Sequence, residues 1–518
     1  MPDPTGAHPG TPAAPHTAAP DTAVSRALPD WIASSVTFLA SGSVLVLEVV
    51  GLRLIAPYVG ITLQTSTAVI GFALAAIAIG AWAGGATADR TDPRRLIAPL
   101  LVAGGALVVA VLPLVRFAGE LLTGAAAGNV LVLAGVAVIV PAALLSAVPP
   151  MIVALQLGDL AQTGSTVGRL SGIGTIGGIV ATFATGFVLV AFLPSSVILV
   201  GTGVVVVLAG LALAVLLRRR APGVAGRVPI ALLALAVGAP VLAAVAPTPC
   251  ERETAYHCAR VEADGESGRV LLLDTLRHSY VDLADPQHLE FEYVQAIASV
   301  TDAMAPAGEP LSALHVGGGG ATLPRYLADV RPGTVSRVLE VDPGVVELDT
   351  EELGLETSAE LEVRVGDGRV GLQEEPAGRR DLVVGDAFGG LSVPWQLTTV
   401  EALRLVDDAL TDDGVYAVNL IDHPPLSFVR AELATLRAVF PEVLLLARAP
   451  VLAGEDGGNL VAVASRQPLP VDGITAALDR RGLAWQVADG AELTAFIGGA
   501  DVLTDDFAPV DQLLTPYG

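Results

Sequence analysis

Lysine is absent from all 518 residues. Schiff-base chemistry needs a lysine amine, and a P-loop needs one against its phosphates, so both are excluded. Cysteine is almost absent as well, with only Cys250 and Cys258. Their spacing is not that of zinc ligands and no paired histidines stand nearby, so no metal site is expected. The two are either free thiols or a single disulfide, according to the redox state of their compartment. Basic residues are few: 29 against 53 acidic ones, for a net charge of −24. Of these, 11 basic and 8 acidic residues precede position 247, leaving 18 and 45 beyond it. The C-terminal part therefore carries a field that repels phosphate backbones and anionic lipid heads and attracts cations. Nucleic acid is not expected as a partner. A polycationic small molecule fits the field, and solubility alone accounts for it equally well.

What the chain has in abundance is apolar sequence, and its length suggests more than one module. Residues 1–30 are rich in Pro, Ala and Thr without apolar periodicity and read as a disordered tail. They lack a basic segment followed by a small-residue cleavage site, so no signal peptide is expected. Residues 31–246 read as a membrane domain with about seven spans, each near the roughly 20 residues a helix needs to cross a bilayer. The spans fall near Trp31–Leu52, Thr65–Gly84, Leu96–Val115, Asn129–Val148, Leu170–Leu193, Val197–Leu217 and Val228–Ala246. The last is the shortest and contains Pro229 and Pro240. Gly172, Gly174, Gly177 and Gly178 suit close helix packing in lipid.

Arginines orient these spans. Arg90, Arg94 and Arg95 follow the second, and Arg218, Arg219, Arg220 and Arg227 follow the sixth. Arginine-rich loops are cytoplasmic, which places the N-terminus inside. Seven crossings put the C-terminal module outside; a seventh segment lying on the membrane surface leaves it in the cytoplasm. Glu48 and Arg53 lie in or near the first span. A carboxylate there is a functional candidate, whereas Arg53 can snorkel to the interface. Five positions apart, the two do not share a helix face.

Residues 247–518 alternate short strands with helix-like stretches. Val270–Asp274 and Ser279–Leu283 read as a small β-hairpin. Leu311–Val316, Arg337–Val341, Leu361–Val365, Leu382–Gly385 and Val415–Asn419 read as core strands. This alternation implies a mostly parallel, doubly wound α/β sheet of Rossmann type. Ligands of such sheets bind at the carboxyl ends of the strands. Four features stand there. Gly317, Gly318 and Gly319 let backbone approach a nucleoside at the start of a helix. Glu340, about 20 residues on, is placed to accept ribose hydroxyls. Asp367 can take a hydrogen bond from an adenine amine. Asp386 opens toward a second substrate. Taken singly, each acid is equally a solvated helix cap; their common register at strand ends favours a site.

With these residues in place, the C-terminal module resembles the spermidine synthase (polyamine aminopropyltransferase) family and its methyltransferase-like Rossmann fold. Leu47-Glu48-Val49-Val50-Gly51-Leu52-Arg53, Ala88-Asp89-Arg90, Gly177-Gly178 and the tail Leu503-Thr504-Asp505-Asp506-Phe507 resemble members fused to a half major-facilitator-like membrane region. Asp89-Arg90-Thr91-Asp92-Pro93-Arg94-Arg95 is similar to the cytoplasmic loop motif of that transporter superfamily. The likeness runs from about residue 35 to the end. It implies an aminopropyl transfer from decarboxylated S-adenosylmethionine to a small-molecule amine, without metal, in a protein held in the lipid bilayer. It assigns the ribose to Glu340, the adenine to Asp367 and deprotonation of the attacking amine to Asp386. Tyr293, in Glu290-Phe291-Glu292-Tyr293, matches the tyrosine lining the amine site. Family synthases are commonly dimers or tetramers, so a homodimer is the expectation that follows.

The sequence departs from the family at three places. Gly320 stands where the family carries an acid that contacts the aminopropyl ammonium. Asp386 is followed by Ala387-Phe388-Gly389-Gly390 rather than by a second acid. Arg277-His278 replace a glutamine, and a cation there repels a polyamine. Two further readings stay open. One is a different S-adenosylmethionine-dependent transferase, such as a methyltransferase, with Gly320 leaving room for the cofactor's own carboxylate. The other is a transporter or sensor that binds a nucleoside without turnover.

Overall fold

A computed structural model describes residues 28–60, 63–124, 126–157, 163–220, 223, 226–390 and 392–515. The expected disordered tail lies outside these residues up to position 27. Leu28 is already buried and Asp30 begins the first helix.

Among the described residues seven apolar helices come first: α1 (Asp30–Val59), α2 (Leu63–Ala88), α3 (Ile97–Leu121), α4 (Ala127–Gln156), α5 (Thr163–Phe192), α6 (Ser195–Arg220) and α7 (Ile230–Val245). The first six are long and apolar enough to cross a membrane; α7 is shorter, at 16 residues. The expected count of about seven spans is thus six long helices and one short one. Pro229 caps the start of α7 and Pro240 lies within it. Of the four glycines expected at helix contacts, Gly174, Gly177 and Gly178 face α1, whereas Gly172 faces open space. A Cβ on Gly177 of α5 would lie 2.5 Å from the Phe38 carbonyl oxygen of α1, so only glycine permits this approach.

The C-terminal part holds two sheets. Strands β1 (Arg252–Glu253), β2 (Cys258–Asp264), β3 (Gly268–Leu273) and β4 (Leu276–Asp282) form an antiparallel sheet in that order. The hairpin read from the sequence is its β3–β4 half; β1 is only two residues long and leaves no periodic signal.

The second sheet contains β5 (Ser312–Val316), β6 (Val335–Glu340), β7 (Leu361–Val365), β8 (Arg380–Gly385), β9 (Leu410–Asp422), β10 (Glu442–Arg448), β11 (Gly458–Ser465) and β12 (Trp485–Ala488). Its order is β12-β10-β11-β9-β8-β5-β6-β7. The five strands β7-β6-β5-β8-β9 are parallel, as expected of a Rossmann-type sheet. The expectation of a mostly parallel sheet fails beyond β9, where β11, β10 and β12 pair antiparallel. Only a short connection separates β10 from β11, too short for the crossover that parallel pairing requires, so β11 turns back and inserts between β9 and β10.

Alternate residues of each strand feed opposite cores. Leu382 and Val384 of β8 meet Ile297 of α8 (Glu292–Met304) on one face. Val383 joins the cluster on the other face with Phe428 of α13 (Ser427–Val439) and Leu403 of α12 (Val400–Ala409). Between these come α9 (Thr322–Val330) after β5, α10 (Pro343–Glu352) after β6 and α11 (Gly368–Gln373) after β7. The small sheet packs against α10 through Leu271, Leu273 and Val281.

Candidate functional site

Strand order reverses between β5 and β8: the chain leaves β5 for β6 and β7, then returns to the opposite side. A crevice opens at such a switch point, and the predicted residues line it. Gly317 ends β5 and Asp386 ends β8. The two segments are so close that a Cβ on Gly317 would collide with the Asp386 carbonyl, and Gly317 has φ +105°. Only glycine serves there.

Glu340 ends β6 and holds the glycine turn from the side. One carboxylate oxygen accepts from Gly318 N at 2.8 Å and the other from Asp342 N at 2.9 Å. Burial raises the Glu340 pKa above its ordinary value, against the pull of these backbone amides. Asp342 is itself buried and caps α10, accepting from Gly344 N at 2.9 Å. The Thr254 hydroxyl also bonds to it, tying the segment before β2 to this turn. Asp367 stands two residues beyond β7 on the exposed rim and accepts from Val370 N at 3.0 Å, capping α11. It lines the crevice, so its cap role and its predicted place at the site coexist.

Two cavities meet at Asp386. The larger, of about 880 Å³, runs over Gly317–Gly319, Glu340 and Asp367. Its far wall is formed by the end of α1 (Pro57–Gly60) and by Thr123 and Gly124 after α3, so the helical bundle roofs it. The smaller, of about 460 Å³, is lined by Tyr293, Asn419, Asn459, Trp485 and the acids Glu290 and Glu292. Asp386, Gly317–Gly319, His278 and Phe388 border both.

Within this junction Asp386 is held at both oxygens. Tyr293 O–H donates to one at 3.0 Å and Asn419 Nδ2 to the other at 2.9 Å. Asn459 Nδ2 donates in turn to Asn419 Oδ1 at 3.0 Å, which fixes the amide's orientation. Burial lifts the Asp386 pKa to about 6, while the bonds from Asn419 and Tyr293 pull it down. Burial, with the charge of Asp386, keeps the Tyr293 hydroxyl well above its usual range, so it remains a donor. Burial also drives His278 down to about 4, leaving it neutral near pH 7.

The seven predicted site residues thus border one connected space. Asn419 and Asn459 were not foreseen. Asn419 lies inside β9, which the sequence reading ends at Asn419 but which runs on to Asp422, so a rule that looks only at strand ends passes over it. The departures look different in three dimensions. A side chain at Gly320 would not enter the larger cavity: its Cβ would lie 3.0 Å from Ser279 Cβ and 3.2 Å from Val281 Cγ2 on β4. The idea that this glycine leaves room for a cofactor carboxylate therefore loses its basis. Arg277 sits 5.6 Å over the Phe291 ring at the edge of the smaller cavity. Glu292 accepts from Trp485 Nε1 at 2.9 Å and keeps an acid in that cavity.

No protein-family pattern matches the chain. It is 30% identical over 142 residues to the polyamine aminopropyltransferase of Vibrio vulnificus (strain CMCP6), covering 26% of this chain and 45% of that protein. It is 31% identical over 142 residues to the eEF1A lysine and N-terminal methyltransferase of Bos taurus, covering 26% of this chain and 20% of that one. The chain therefore spans between a fifth and a half of the length of these relatives. Among solved structures it is similar to a probable spermidine synthase from Corynebacterium glutamicum ATCC 13032, with 29% identity over 50% of this chain and 97% of that one and a TM-score of 0.47. It is also similar to human methyltransferase-like protein 13 in complex with SAH, with 22% identity over 43% and 96% and a TM-score of 0.29. Its relatives are thus transferases of two kinds.

Proposed function

We propose that this chain is a membrane-anchored aminopropyltransferase that moves an aminopropyl group from decarboxylated S-adenosylmethionine to a small-molecule amine. The observation that carries the reading is Asp386, held by Tyr293 and Asn419 where the two cavities join. The larger cavity takes the nucleoside: Glu340 accepts the ribose hydroxyls, Asp367 the adenine amine, and the glycine turn lets backbone lie against the sugar. The smaller cavity takes the amine, with Glu292 and the acidic field of the module favouring a cation. The six long apolar helices supply the anchor.

The reaction is an in-line displacement. The amine lone pair forms a bond to the carbon attached to the sulfonium, the carbon–sulfur bond breaks, and its electrons neutralise the sulfur. The amine must attack unprotonated, yet free alkylamines have a pKa of about 10. Asp386 binds the ammonium and takes its proton. A carboxyl titrating near 6 is ionised at neutral pH yet basic enough for this role. Tyr293 and Asn419 fix the carboxylate's direction, and the rest is the positioning of two reactants.

The similarity to methyltransferases supports a second reading, methyl transfer from S-adenosylmethionine through the same site. Incubating the purified full chain with each sulfonium donor and a panel of amines separates the two. Methylthioadenosine and an extended amine are expected from the decarboxylated donor; S-adenosylhomocysteine from the intact donor would establish the other reading.

The pH profile gives a sharper check. Activity should rise with pH through about 6, as Asp386 loses its proton. Tyr293→Phe removes a hydrogen bond that stabilises the anion, so the pKa moves up and this limb shifts to higher pH. An unshifted limb in the variant would show that Asp386 is not the titrating base.

A further inference from the structure

The sequence leaves open which side of the membrane carries the transferase site, and the ends of the helices decide it. One end of the bundle gathers the arginines. Arg90, Arg94 and Arg95 stand between α2 and α3, and Arg218–Arg220 close α6. Arg169 of α5 pairs with Asp30 at the start of α1 at 3.3 Å, on this same end. The opposite end carries the C-terminal domain. Arg53 of α1 donates to the carbonyls of Thr254 and Ala255, both at 2.7 Å, and to Ser195 Oγ at 3.0 Å. It therefore docks the domain rather than pairing with Glu48. Ser196 N, at the start of α6, donates to Glu253 at 3.0 Å.

The short helix α7 connects these two ends. Before it, Gly226 N donates to the Arg94 carbonyl at 3.3 Å, among the arginines. Near its far end, the Ala243 carbonyl accepts from Arg116 of α3 at 3.2 Å, and Arg116 lies 3.8 Å from Glu253 of the domain. In between, Ala239 packs on Val109 of α3. Thus α7 runs alongside α3 from one end of the bundle to the other. At 1.5 Å per residue it extends about 24 Å, and the residues flanking it complete the crossing. It does not lie on the surface.

We infer that the transferase site faces the extracytoplasmic side of the membrane. Arginine-rich loops remain cytoplasmic, and the domain sits at the end away from them. A second observation points the same way. Cys250, in the segment joining α7 to the domain, forms a disulfide with Cys258 at the start of β2, a bond that persists in oxidising compartments and is rare in the cytosol. The acceptor is therefore an amine of the extracytoplasmic space. The donor is a charged sulfonium nucleoside that does not cross hydrocarbon unaided, so a carrier step must precede the transfer.

The inference rests on the reading that the helices span a membrane, and one experiment separates the two. Asp412→Cys lies on β9 near the strand's amino end, where the Asp412 side chain is 96% exposed. Asp89→Cys lies in the exposed turn after α2. No free cysteine is present among the described residues. Each full-length variant is expressed in a bacterial host and treated with a membrane-impermeant maleimide, with detergent-lysed samples defining full labelling. Asp412→Cys should label in spheroplasts and Asp89→Cys only in inverted vesicles. The reverse pattern, or labelling of either position from both sides, would overturn the inference. Release of the chain by alkaline carbonate would instead overturn the membrane reading beneath it.

Discussion

Asp386→Asn should lower turnover by roughly 10²- to 10⁴-fold, the range that a positioned general base contributes. The substitution keeps the shape of the side chain and removes its basicity. Tyr293 can turn its hydroxyl to accept from the new amide, and Asn419 keeps a carbonyl oxygen to donate to, so the junction remains filled. Nucleoside affinity should stay within about threefold, because the carboxylate is assigned to the amine and not to the sugar. Calorimetry of the variant alongside initial rates makes this a direct comparison. A variant that loses nucleoside binding as well as turnover would place Asp386 on the donor.

Glu340→Ala should have the opposite signature. Each hydrogen bond to a charged acceptor is worth about 1.5–3 kcal/mol, and the carboxylate is assigned two ribose hydroxyls. Nucleoside affinity should fall by roughly 10²- to 10⁴-fold, at about 1.4 kcal/mol per tenfold. The same carboxylate holds the amides of Gly318 and Asp342, so the glycine turn also loses a support. Glu340→Gln, which keeps one acceptor, should lose less. Thermal unfolding of both variants distinguishes a collapsed turn from a lost ligand contact. An unchanged affinity in Glu340→Ala would remove the ribose assignment.

These two residues were legible in the sequence for the same reason. Both end apolar strands of a parallel sheet, and period and position alone mark the strand ends. The five parallel strands were legible on the same basis. The antiparallel part was not, because the pairing direction of β10, β11 and β12 depends on connection length rather than on side-chain pattern. Long-range contacts were also silent. Arg53 reads as a snorkelling arginine, and only the fold brings it within 2.7 Å of carbonyls some 200 positions away. The roof that Pro57–Gly60 form over the larger cavity is hidden in the same way. Gly320 shows the reverse error: sequence treats it as a missing ligand contact, whereas the structure turns it toward Ser279 and Val281.

Calorimetric titration of the detergent-solubilised full chain shows whether the proposed crevice holds a sulfonium nucleoside for group transfer. Saturable binding of decarboxylated S-adenosylmethionine is predicted, tighter than that of S-adenosylmethionine, retained in Asp386→Asn and lost in Glu340→Ala. Binding of neither nucleoside by the folded chain would contradict the account.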